Sequence, residues 1–112
     1  MKLHDADRLF SLYIRGRDGW QCQRCGSPYS PQCAHLHSRV YRAIRFSPLN
    51  ATTLCKGCHV LFTPRPLEWQ DWCEERWPGR LAALKVQALG AHEHPDYGAI
   101  CDELRLAIGV KR

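Results

Sequence analysis

Two C-x-x-C pairs constrain this chain more than any other feature: Cys22 and Cys25 in QCQRCG, and Cys55 and Cys58 in LCKGCH, with residues 26–54 between them. A two-residue gap lets one tight turn present both sulfurs to a single ion while its backbone N–H groups stabilise the thiolate charge. Four thiolates in two such turns suit tetrahedral Zn²⁺, a soft-tolerant ion without redox chemistry. Saturated by four protein ligands, that ion has no open position and is expected to be structural, with metal binding coupled to folding. The alternative is that the four cysteines are merely buried or oxidised. Seven cysteines in 112 residues would fit a disulfide scaffold. Against that stand the odd count, the metal-type spacing and the lack of a charged-then-apolar leader. No apolar run approaches the roughly 18–20 residues of a membrane span, so the expectation is a soluble, intracellular protein with no membrane contact.

Charge is unevenly spread. Residues 1–66 carry ten Lys/Arg against three Asp/Glu, and residues 67–112 six against eight, for a net charge of +5. No carboxylate occurs between Asp18 and Glu68, a stretch that holds Arg24, Arg39, Arg42, Arg45, Lys56 and Arg65. An uninterrupted positive run around the cysteine and histidine motifs is an electrostatic footprint for a polyanion. Its plainer reading is a solvated basic surface.

The pattern predicts a small α+β unit. Asp5–Arg17 has an apolar stripe at helical spacing (Leu9, Phe10, Tyr13, Ile14) with Asp5 as a cap. Gln32–His37 and Ala51–Leu54 read as short strands, and residues 38–49 as a loop. A helix opens at Lys56-Gly57, carries Cys58 and His59, and must stop before Pro64-Arg65-Pro66. Further helices are expected at Leu67–Trp77, Arg80–Leu89 and Tyr97–Ile108. Trp69, Trp72 and Trp77 could stack on bases, but their spacing, with acidic residues opposite, favours core packing. Residues 1–66 thus form an N-terminal helix plus a zinc-bound core, and 67–112 a helical extension packed on it.

The segment CAHLHSR, then RFSPLNATTLCKGCH, carries His35, Asn50 and His59 between and beside the cysteine pairs. Over residues 20 to about 66 it resembles the HNH nucleases, in particular the phage-type HNH proteins with two C-x-x-C pairs. The resemblance implies a ββα-metal core and a metal-dependent endonuclease that hydrolyses phosphodiester bonds in DNA, in phage or prophage DNA processing. It implies His35 as general base, Asn50 as a residue that orients the core and binds the catalytic cation, and His59 as second ligand of that cation. Arg39 would contact phosphate, with Arg42, Arg45 and His37 as further DNA contacts. Mg²⁺ suits oxygen ligands, whereas an imidazole nitrogen makes Mn²⁺ or Ni²⁺ credible. DNA would be the partner in the cytoplasm of a host cell, together with a second copy of the chain or another phage DNA-processing protein.

Strand periodicity puts His35 and His37 on one face, so the choice of His35 as base rests on the resemblance. Many HNH sites have Asp or His directly before the base, where this chain has Ala34. Cys33 or His37 could then join the metal, although Cys33, Cys73 and Cys101 are most simply buried thiols. The competing reading is a zinc-stabilised nucleic-acid-binding module without catalysis.

Overall fold

The computed structural model describes residues 2–90 and 94–109. Among them are five α-helices and one two-stranded antiparallel sheet. In chain order these are α1 (Lys2–Arg17), β1 (Pro31–His35), a single 3-10 turn (Pro48–Asn50), β2 (Ala51–Cys55), α2 (Lys56–Phe62), α3 (Pro66–Arg76), α4 (Arg80–Leu89) and α5 (Tyr97–Ile108). No described helix is long and apolar enough to cross a membrane.

Helix α1 buries Ala6, Leu9, Phe10 and Ile14, a stripe at three- and four-residue intervals, against Ala51, Cys101 and Leu104. A fully buried Phe or Ile contributes about 1.5–3 kcal/mol, so this stripe fixes which way the helix faces. Its C-terminal end is tied to the sheet. Arg17 donates to the carbonyls of Pro48 (2.7 Å) and Ala51 (2.9 Å), while Asp18 accepts the Thr53 N–H at 2.9 Å. Gly19, at φ +70°, then turns the chain away. The helix starts at Lys2, so Asp5 lies within its first turn and does not cap it.

The strands pair from Pro31↔Cys55 to His35↔Ala51. The expected strand through His37 is two residues too long for a physical reason: the His37 N–H is taken by the side chain of Asn50 (2.8 Å) and not by a strand partner. His37 therefore leaves the face that carries His35. Helix α2 follows β2 directly, with the Cys55 sulfur accepting the Cys58 N–H as its cap. Pro66 then occupies the first turn of α3, where its missing N–H costs nothing.

Trp69 and Trp72 pack with Phe62, stacked on each other at 5.4 Å, and with Trp77 they also cover Cys73 and Leu84. The tryptophan stripe is core, as its spacing predicts. Helix α5, capped by Asp96 on the Ala99 N–H, packs along α1.

Candidate functional site

The candidate metal centre comes from two turns. The sulfurs of Cys22, Cys25, Cys55 and Cys58 all lie within 4.8 Å of one another, a cluster that could hold a metal such as zinc. Each pair has the same local design: the Cys25 N–H points at the Cys22 sulfur and the Cys58 N–H at the Cys55 sulfur, both at 3.4 Å. Arg24, between the first two cysteines, donates to the Cys58 sulfur at 3.4 Å and lies over the Phe62 ring. Burial pushes the Cys22 thiol up, but N–H groups around it outweigh this and bring it down to about 6. Burial and the neighbouring sulfurs push Cys58 up to about 12, against the pull of Arg24. Thiolates packed this closely repel, so full ionisation of all four calls for a cation among them.

A second candidate site is a cavity bounded by α1, β1, the following loop and α2. It measures about 750 Å³ and is lined by Asp7 and Ser11 from α1, Cys33 and His35 from β1, Ser38 and Arg39 from the loop, and His59 and Thr63 from α2. A smaller, more apolar recess of about 200 Å³ shares His35, His59 and Thr63 and runs back to Phe62, Pro66 and Trp69. Sequence-distant histidines thus meet in one place, because His35 ends β1 and His59 lies in the first turns of α2.

Each histidine is tethered by one nitrogen. His35 Nε2 lies 2.9 Å from the carbonyl oxygen of Arg45, which can only accept, so Nε2 carries the proton and Nδ1 keeps the lone pair. His59 Nδ1 lies 2.6 Å from Gln32 Oε1, which fixes the opposite tautomer and leaves Nε2 with the lone pair. Burial holds His35 below its usual 6.5, with Arg39 and Arg45 acting in the same direction and the Arg45 carbonyl and Asp7 opposing. The proton on His35 Nε2 is thus tied to the Arg45 carbonyl and Nδ1 is left outside that contact. Cys33 is pushed up to about 12 by burial, so it lines the cavity as an uncharged thiol.

Other expected residues fall elsewhere. Asn50 is fully buried. Its Oδ1 accepts the His37 N–H at 2.8 Å, and its Nδ2 donates to the carbonyls of His37 and Ile44, both at 3.2 Å. Asn50 orients the loop, but it does not line the cavity and is placed to hold no cation there. His37 lines a different cavity, beside Tyr41, Gln70 and Leu81, and its Nε2 is 2.8 Å from the Leu81 carbonyl oxygen. It joins α4 to the loop and lies in a different cavity from His35. Arg45 is also committed, since Asp7 accepts from its Nε at 3.0 Å and its Nη2 at 2.6 Å. Arg39 and Arg42 are exposed, and Arg39 alone of the three expected arginines is on the cavity wall.

Sequence reasoning missed Asp7, Ser11, Gln32 and Thr63. Gln32 had a signal: it shares β1 with His35, and a metal-type histidine calls for a partner on its second nitrogen. Comparison with protein-family models, curated proteins and solved structures finds no match to this chain.

Proposed function

We propose that this chain is a metal-dependent endonuclease of the HNH type that hydrolyses phosphodiester bonds in DNA, built on a structural zinc at Cys22, Cys25, Cys55 and Cys58. The observation that carries the reading is the pair of oppositely tethered histidines on one cavity wall, each with one nitrogen held and one lone pair left. The order strand, strand, helix, with His35 ending the first strand and His59 on the helix, agrees with the arrangement that the motif resemblance implies. Its placement in phage or prophage DNA processing rests on that resemblance alone.

In this reading His35 Nδ1 takes a proton from water as the water oxygen bonds to phosphorus. The P–O bond to the 3′ carbon's oxygen breaks, and that oxygen leaves as a hydroxyl after protonation by solvent, so the 5′ side keeps the phosphate. Arg39 offsets charge on the phosphate oxygens. His59 Nε2 is the one expected ligand that fits a catalytic cation, which when bound would supply positive charge at the leaving oxygen. A lone imidazole with waters and phosphate oxygens is a sparse set, and it favours Mn²⁺ or Ni²⁺ over Mg²⁺.

The sparse set is also what favours the second reading, a zinc-stabilised nucleic-acid-binding module. Supercoiled plasmid with zinc-loaded protein, alone and with Mg²⁺, Mn²⁺ or Ni²⁺, decides between them. Nicking that needs the added ion and falls by about 10²–10⁴-fold in a folded His35→Ala variant supports the nuclease. A mobility shift without cutting under any ion gives the binding module the lead.

A further inference from the structure

Helix α1 lies outside the segment that carries the motifs, yet two of its residues reach the histidine cavity and a third packs beside His35. Asp7 and Ser11 line it, one turn apart, and the Phe10 ring lies 5.5 Å from that of His35. Asp7 has the more specific role. Its two carboxylate oxygens take the Nε and Nη2 of Arg45 in a fork, at 3.0 and 2.6 Å. The third arm of the same guanidinium donates to the Arg39 carbonyl at 3.4 Å, and the backbone carbonyl of Arg45 accepts from His35 Nε2. A chain of contacts therefore runs from α1 through the loop to the imidazole.

We propose that Asp7 is a positioning residue for His35. By holding Arg45 it fixes the one carbonyl that selects the tautomer and ring orientation of His35, and it draws Arg39 onto the cavity wall. An ordinary surface ion pair would be too loose for this task. This one is bidentate and its side chains are only 19% and 25% exposed, so the geometry is held by planar matching as well as by charge. The loop from 38 to 47 has no strand or helix to define it. It is a run of tight turns, with Tyr41, Ile44, Arg45 and Ser47 each donating N–H to the carbonyl three residues back and Asn50 holding the Ile44 carbonyl. The contact from α1 ties Arg45 to the rest of the fold from outside that run. The positioning itself is independent of what His35 does, and its effect on catalysis rests on the nuclease reading.

The test uses the zinc-loaded full chain with ¹⁵N-labelled histidine, His35 being assigned with His35→Gln, and compares the parent with Asp7→Ala. The expected result is that His35 changes from a single Nε2–H tautomer to a mixture of both. With Mn²⁺ and plasmid, kcat is expected to fall by on the order of 100-fold, as for a slight misplacement of a catalytic group, with KM within about twofold. If Asp7→Ala does not fold, Asp7→Asn keeps the shape, removes the charge and is read in the same way. An unchanged tautomer together with parental kcat overturns the proposal. So does an unchanged tautomer with a raised Mn²⁺ requirement, which would make Asp7 a cation ligand. If the parent itself cuts nothing, the nuclease reading fails while the tautomer measurement still decides the role of Asp7.

Discussion

The cysteine centre and the histidine cavity share the same two strands and α2, but they are built on different principles. All four cysteines come from two four-residue turns, and each turn makes its own N–H to sulfur contact. The cavity is assembled from distant pieces. Asp7 reaches Arg45 across 38 positions, and Gln32 reaches His59 across 27. Each half of the cysteine site is local, and only the meeting of the two halves, Cys25 and Cys55 being 30 positions apart, depends on the fold or the ion. A dispersed site exists only when helix, loop and sheet are all in place, so it inherits its geometry from the fold.

If that contrast is right, the largest effect belongs to the metal. Apparent binding energies of structural zinc are about 10–16 kcal/mol, as large as the roughly 5–15 kcal/mol that separates most folded domains from unfolding. Chelation, or Cys22→Ser, should therefore abolish the cooperative thermal transition followed by circular dichroism. A chelated chain that melts as sharply and as high as before would mean that the four thiols are merely buried. Next comes Asn50→Ala. The part-buried His37 N–H and the buried Ile44 carbonyl would lose their partner, a penalty of about 1–3 kcal/mol, and urea unfolding should show it. Under the nuclease reading proposed above, the Mn²⁺ dependence of cleavage is expected to be the same in this variant, which separates an orienting residue from a cation ligand.

A smaller effect follows from His35. Because burial lowers its pKa, the unfolded chain binds a proton that the folded chain refuses in the window between the depressed value and 6.5. Stability should be flat above pH 6.5 and fall as pH drops through that window. Loss of zinc at acid pH acts in the same direction, so the informative quantity is the difference between the parent and His35→Gln in urea unfolding. That difference should be constant above pH 7 and turn against the parent on acidification. A difference that does not vary with pH would mean that His35 titrates normally and is not held neutral by its surroundings.

The local site was legible in the sequence and the dispersed one only in part. C-x-x-C spacing is itself a statement about geometry, and the expected bounds of α4 and α5 match to the residue. The Pro64-Arg65-Pro66 run marked where α2 had to end. What failed were inferences that needed a partner far away. Period-two alternation put His37 beside His35, but the side chain of Asn50 took the His37 N–H and ended the strand. The run without carboxylates between Asp18 and Glu68 suggested three unpaired arginines in the loop. Asp7, earlier in the chain, returns to neutralise one of them. Absence of acid from a stretch of sequence says nothing about acid supplied by a neighbouring helix.

The two loop arginines Arg39 and Arg45 are the finest test of this distinction, since sequence treats them alike. Arg39 is exposed on the cavity wall, while Arg45 spends its charge on Asp7. An arginine that neutralises one phosphate should lower the slope of log affinity against log salt by about 0.9 when removed. Arg39→Ala is expected to do so, read by fluorescence anisotropy of a labelled duplex between about 50 and 200 mM salt, in a His35→Ala background that prevents cleavage. Arg45→Ala should leave the slope unchanged and instead lower the unfolding midpoint, because it strands a half-buried carboxylate. The reverse pattern would put Arg45 on the DNA and make its contact with Asp7 a resting arrangement that the substrate displaces.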